Sequence, residues 1–276
     1  MSTRTSKTTI DDRELKSRHR GMWALGDYAA VANEVIADLG PVVVQACGVG
    51  PGDHVLDVAA GNGNASKPAA EAGAEVVASD LTPALLEVGR DEVGDRLPIT
   101  WQEADAEALP YEDGSFDAVI SCVGVMFAPH HRTAADELLR VCRTEGRVGV
   151  VSWTPEGFIG QMFATMKPYA PPHPAGVQPP PLWGSEDHVR DLFGDRVSDL
   201  EMTRRPLPVD RFATATDFRE FFKAHYGPTI AVYRANAEDP ERCAALDRDL
   251  DTLAERFGAN DGTMEWEYLL VTATRR

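Results

Sequence analysis

Cysteine is scarce and scattered. Cys47, Cys122, Cys142 and Cys243 never fall in a CxxC spacing. That argues against a disulfide framework or a zinc site, so no metal is expected, and it fits a reducing cytoplasm. Positive charge is also short: 27 Lys and Arg stand against 44 Asp and Glu, a formal net charge of −17. A chain this acidic repels nucleic-acid phosphate and anionic lipid, and it shows no long basic stretch, so neither partner is expected. No uninterrupted apolar run approaches the roughly 18 residues of a membrane span. The polar, mixed-charge start (Arg4, Lys7, Asp11, Asp12, Arg13) lacks the apolar segment of a signal peptide. Internal repeats are missing, and the one biased tract is rich in proline. What remains is 43% hydrophobic content over 276 residues, enough to bury a full core. Oligomeric state leaves no trace in the sequence.

The chain is expected to fold as a single domain, 1–276, in three stretches: an N-terminal helical cap (1–50), a middle half (51–153) and a late half (154–276). The first twenty residues read as a frayed tail or a loosely docked helix. Asp27 caps a helix with Val31, Val35, Ile36 and Leu39 on one face, ended by Gly40-Pro41, and a short helix from Val42 to Val49 follows. Strands and helices then alternate. The strands are His54–Val58, Glu75–Asp80, Ile99–Gln102, Phe116–Ser121 and Arg147–Trp153. Thr82 caps one intervening helix with Pro83 in its first turn, and Thr133 with Asp136 resembles a capping box for another, Ala134 to Cys142. Short apolar strands alternating with helices read as a mostly parallel α/β sheet covered on both faces. Its ligand crevice lies at the C-terminal strand ends. Pro168 to Pro181 holds seven of the 19 prolines and reads as an extended connector or lid edge. After it come a helix capped by Ser185, a strand from Asp199 to Val209, a helical stretch from Thr216 to Phe257 and a last strand, Trp266 to Thr272.

Chemistry concentrates in Val55-Leu56-Asp57-Val58-Ala59-Ala60-Gly61-Asn62-Gly63, which leaves a strand and enters a helix. Small residues there let a ligand touch the backbone, and the next helix offers unpaired N–H groups. Asp80 ends the second strand, where an acid can accept from both hydroxyls of a ribose. Asp105, after the third strand, can accept from an adenine amino group. Three acids that end successive strands at one sheet edge are a more specific signal than a glycine-rich loop alone.

The run from His54 to Asp80, with Asp105-Ala106, Asp113-Gly114-Ser115-Phe116-Asp117 and Glu137-Leu138-Leu139-Arg140-Val141, resembles the class I S-adenosylmethionine-dependent methyltransferases. It is most similar to their quinone-biosynthesis C-methyltransferase-like branch. The resemblance is good over about residues 20 to 153. It implies a Rossmann-like seven-stranded sheet whose last strand is antiparallel and inserts between the fifth and sixth, with S-adenosyl-L-methionine as cofactor. It implies that Asp57 and the loop Ala59, Ala60, Gly61, Asn62, Gly63 hold the methionine moiety. Asp80 would bind the ribose, Leu81 would pack beside the adenine, and Asp105 and Ala106 would read its edge. Ser121 and Cys122 would line the floor under the sulfonium. Trp23 and Tyr28 would close over the cofactor, Tyr28 donating to its carboxylate. Ala59 replaces the family's first loop glycine, a change expected to be sterically mild.

A nicotinamide-dependent dehydrogenase fits less well. The run Gly61-Asn62-Gly63-Asn64-Ala65-Ser66 ends in Ser rather than Gly, and Asp57 before it would meet a pyrophosphate unfavourably but a cationic ligand favourably. The reading is therefore methyl transfer to a small-molecule acceptor, apolar or aromatic in character. The alternative keeps the same cofactor site for a non-methylating reaction or for binding alone. Methyl transfer asks chiefly for alignment and exclusion of water. For an acceptor that starts protonated, His130 and His131, after the fourth strand, are the candidate bases. His173 and His225 are weaker candidates.

Overall fold

A computed structural model describes residues 11–172, 174 and 176–276; His173 lies outside them. Seven strands form one sheet in the order β3-β2-β1-β4-β5-β7-β6. They are β1 (His54–Val58), β2 (Glu75–Asp80), β3 (Ile99–Glu103), β4 (Phe116–Cys122), β5 (Cys142–Trp153), β6 (Val197–Val209) and β7 (Met264–Arg275). The first five pair in parallel, and β7 runs antiparallel to both β5 and β6. This is the Rossmann-like arrangement expected, with the last strand inserted between the fifth and sixth. Val55, Leu56, Val58, Ala118, Val119, Ile120, Val148 and Val151 are fully buried, as continuous apolar strands covered on both faces must be.

Eleven helices are described: α1 (Asp12–Trp23), α2 (Tyr28–Glu34), α3 (Leu39–Ala46), α4 (Ser66–Glu71), α5 (Pro83–Val93), α6 (His131–Val141), α7 (Phe158–Met166), α8 (Glu186–Phe193), α9 (Ala215–His225), α10 (Gly227–Ala235) and α11 (Pro240–Arg256). Several expectations need correction. The early polar segment contains a formed helix, α1, capped by Asp11. Gly40-Pro41 opens α3 rather than ending α2, because proline in a first turn gives up no helical hydrogen bond. The Gly40 position also lies against the Asn64 carbonyl, which a Cβ there would approach to 1.9 Å. α6 starts at His131, not Ala134. The stretch from Thr216 to Phe257 is three helices, broken at Tyr226 and again ahead of Pro240. No single helix among the described residues is long and apolar enough to cross a membrane.

Candidate functional site

A cleft with about 680 Å³ of empty space, part of it open to solvent, lies at the C-terminal ends of β1, β2 and β4. Open parallel sheets place their ligands at these ends. Two residues there hold backbone conformations that side chains disfavour: Ala59, just after β1, at φ +56°, and Val123, just after β4, at φ +54°. For a β-branched valine this is a rare state, and such strain gathers at functional sites. The Ala59 substitution is therefore not mild, since alanine occupies a glycine-type conformation. Between the two, the chain leaves no room at Gly124, where a Cβ would come within 2.1 Å of the Ala59 carbonyl oxygen.

Of the residues singled out in the sequence, Trp23, Tyr28, Ala59, Gly61, Asp80, Leu81, Asp105 and Ala106 line the cleft. The Asp80 carboxylate accepts from the Gly61 N–H at 2.9 Å and from the Thr82 N–H at 2.8 Å. Burial raises its pKa and these bonds oppose the rise. The Tyr28 ring covers Gly61. It meets Trp23 edge-on, ring centroids 5.4 Å apart, and Trp23 packs on Phe127 at 4.6 Å. These rings make an aromatic cover over the loop.

The other named residues lie behind the cleft wall. Asp57 is buried and accepts from Ser66 Oγ at 2.6 Å. Its Oδ1 is buried without a partner, and burial pushes the carboxyl up to about 7. The Ala60 N–H donates to the Ser79 carbonyl. The Asn62 amide donates to Asn33 and Glu92, and Gly63 packs under Trp101. Ser121 does not form a floor. Its hydroxyl donates to the Val58 carbonyl at 2.7 Å and accepts from the Val125 N–H at 2.9 Å, tying β4 to β1. Cys122 accepts from the Asn64 amide, and burial pushes its thiol up. These six are not among the residues that line the open cleft.

The two histidines part company. His131 is fully buried, shares a 2.9 Å hydrogen bond with His188 and packs beside Trp183. Burial, then the neighbouring His188, pulls its pKa down to about 3. It does not line the cleft, so the position expected of a base is not the one it occupies. His130 pairs through Nδ1 with Glu107 at 3.0 Å. Glu107 in turn pairs with Lys16 of α1 at 2.8 Å, and Lys16 also holds Asp105 at 2.7 Å and Asp12 at 2.9 Å. Burial works against the Lys16 ammonium, but its three carboxylate partners win and raise its pKa. Asp12, Glu107 and His130 bring possible metal-ligand atoms within 4.8 Å of one another; the Lys16 ammonium lies among the carboxylates. His225 lies against Phe221 and outside the cleft lining.

Sequence reasoning missed Lys16 and His19, both cleft-lining from α1. Their helix is polar almost throughout and carries no apolar period. The run from Val123 to Pro129, between β4 and His130, supplies much of the wall. Behind the aromatic cover lies a second, smaller cavity that shares Tyr28 and Val123 with the cleft.

The site suits the group that the resemblance implies. A backbone cradle with no space for a Cβ, an orphaned buried carboxylate oxygen and a ribose-type acid at the β2 end match an adenosyl amino-acid sulfonium.

Comparison with known proteins agrees. Residues 56–150 match the methyltransferase domain family. An uncharacterized protein of Mycobacterium tuberculosis is 52% identical over 267 residues, 96% of this chain and 97% of that one. The demethylmenaquinone methyltransferase of Renibacterium salmoninarum is 42% identical over 113 residues, covering 41% of this chain and 46% of that enzyme. Among solved structures, the YcgJ protein of Bacillus subtilis superposes with a TM-score of 0.60 at 17% identity, over 87% of this chain and 98% of that one. The phosphoethanolamine N-methyltransferase 2 of Haemonchus contortus, in complex with S-adenosyl-L-methionine, superposes with a TM-score of 0.59 at 15% identity, over 98% of this chain and 61% of that one. The motif, the fold and the domain match agree: the chain carries a methyltransferase domain over residues 56–150 on the fold shared with S-adenosylmethionine-dependent methyltransferases.

Proposed function

We propose that this methyltransferase acts on a small molecule with an apolar or aromatic body, in the cytoplasm and as one domain. The observation that carries the reading is the aromatic cover of Trp23, Tyr28 and Phe127 over the strained loop, which offers the acceptor rings rather than charges. A net charge of −17 disfavours nucleic acid as acceptor.

S-adenosyl-L-methionine supplies an activated methyl carbon when bound. Asp80 would hold the ribose hydroxyls with the lone pairs its two backbone bonds leave free, Leu81 and Ala106 would flank the adenine, and Asp105 would meet the adenine edge. The Ala59–Gly63 backbone and Asp57 would face the amino-acid end. Trp23 and Tyr28 exclude water and fix the approach of the acceptor, which is where alignment accelerates a displacement. His131 has no part in this, and His130 belongs with Glu107, Lys16 and Asp105 at the adenine rim.

Calorimetry with S-adenosylhomocysteine tests the cofactor side. Asp80→Ala removes two charge-assisted hydrogen bonds of about 1.5–3 kcal/mol each, so affinity should fall at least tenfold; unchanged affinity would sink the ribose assignment. His130→Ala should weaken the cofactor a few-fold and leave the maximal methylation rate within about threefold. A loss of about 10²–10⁴ in rate at unchanged cofactor affinity would instead make His130 the base.

A further inference from the structure

The Lys16 ammonium touches three carboxylates: Asp105 Oδ2 at 2.7 Å, Glu107 Oε2 at 2.8 Å and Asp12 Oδ2 at 2.9 Å. An ammonium has three N–H donors and accepts nothing, so all three are taken within the protein. The Lys16 side chain is 16% exposed and lines the cleft beside Ala104, Asp105 and Ala106. It borders the ligand with no donor left to offer it.

Asp105 is fixed at both oxygens. Its Oδ1 accepts from the Glu107 N–H at 2.9 Å, and its Oδ2 takes the Lys16 ammonium. Glu107 is held in turn: its Oε1 accepts from the His130 N–H at 2.6 Å, and its Oε2 meets His130 Nδ1 at 3.0 Å. Three carboxylates gathered around one nitrogen repel one another once that cation is removed. Of the three, Asp105 alone lines the cleft, so it is the one with space to turn. Lys16 is not what keeps α1 in place. Leu15 is buried, and Gly227 of α10 packs so closely on the Met22 carbonyl that a Cβ would approach it to 2.3 Å.

We infer that Lys16 is a positioning residue for the purine: it holds Asp105 as a fixed hydrogen-bond acceptor and so makes the cleft select a 6-amino purine over a 6-oxo purine. The inference deepens the cofactor reading and rests on its placement of Asp105 at the adenine edge. Adenine presents its 6-amino group there as a donor. Hypoxanthine presents a carbonyl oxygen in its place, which a carboxylate repels and which Lys16 has no spare donor to satisfy. A carboxylate free to turn could follow the N1–H of the 6-oxo ring; one fixed at both oxygens cannot. A site built to pair with one polar group rejects the analogue that lacks it.

Calorimetry with S-adenosylhomocysteine and S-inosylhomocysteine tests this. The wild type should bind the adenosyl ligand about tenfold more tightly or better. Lys16→Met should weaken S-adenosylhomocysteine about tenfold and S-inosylhomocysteine less than about threefold, bringing the two together. Lys16→Arg keeps the charge and should hold the wild-type preference within about threefold. In an Asp105→Asn background, Lys16→Met should change adenosyl affinity less than about twofold, because the residue it acts through is gone. If Lys16→Met fails to fold, Lys16→Gln takes its place with the same expectations. Equal losses for both ligands in Lys16→Met, or the full loss repeated in the Asp105→Asn background, would reduce Lys16 to a structural tie and overturn the inference. A wild type that binds both ligands equally would remove Asp105 from the adenine edge, and one that binds neither would remove the cofactor reading itself. Either result takes the inference with it, and each differs from a failure of Lys16 alone.

Discussion

At the ends of β1 and β4 the backbone itself is unusual: Ala59 and Val123 hold positive φ, and Gly124 touches the Ala59 carbonyl. Around Trp266 in β7 the strand pairing is regular and the side chains carry the geometry. There Phe158, Phe212, Phe218 and Phe222 surround Trp266, each 2% exposed or less. The first region grips a ligand through main-chain shape, which tolerates no added atom. The second makes a cavity by packing rings, which can be remodelled at the cost of stability. A region of the first kind can thus be held constant while a region of the second kind varies.

Breaking the ring cluster should have the largest effect. Phe218 is fully buried, and Phe218→Ala should lower stability by about 3–5 kcal/mol in denaturant unfolding, yet leave S-adenosylhomocysteine affinity intact below the transition. A large loss of affinity in the folded variant would show that the two regions are coupled. Gly124→Ala should do the reverse. Its Cβ must displace the β1 loop, an overpacking strain of about 1–3 kcal/mol, and calorimetry should show cofactor affinity falling about tenfold or more. Normal affinity would mean that the loop yields more readily than its contacts imply.

The smallest effect near neutrality is acid sensitivity. His131 has a folded pKa of about 3, below its ordinary 6.5. Between those values the unfolded chain binds the proton and the folded one does not. Stability from this site is whole above pH 6.5 and drains away as pH falls toward 3, by at most about 1.4 kcal/mol per pH unit. Asp57 acts oppositely. Its folded pKa of about 7 exceeds the unfolded 3.8, so its contribution favours the fold below pH 3.8 and is lost as pH rises through 7. Urea unfolding across this range should show His131→Leu losing less stability on acidification than the wild type. Parallel curves would remove His131 as the acid-sensitive group.

Much of the first region was legible because its signals are local. Apolar runs marked β1, β2 and β4, and small residues and strand-terminal acids marked the loop and Asp80. The inward-facing histidine was not legible: His131 starts a helix in a polar run, and only the distant His188, Gln178 and Trp183 show that it is enclosed. The docking of α1 was equally hidden, because it runs through Lys16 to Asp105 and Glu107 rather than through an apolar stripe. Gly40-Pro41 misled because these residues commonly stop a helix, and only the Asn64 backbone packed against Gly40 shows why they begin one. The second cavity has no motif, since its walls come from six separate elements or their flanks.

The place of β7 has a consequence for how the molecule is made. This strand follows every other strand in chain order, yet it sits inside the sheet, in register with β5 from Arg147 to Trp153 on one side and with β6 from Val197 to Val209 on the other. During synthesis the β5 and β6 edges emerge first and stay unpaired until the stretch from Met264 to Arg275 has been made. Open strand edges invite pairing with other chains. Trp266 also enters with this strand, so the second cavity gains its wall in the same event that closes the sheet. A ribosome-tethered chain stopped before Met264 should carry an assembled β1–β4 core beside β5 and β6 edges that are open and prone to aggregate.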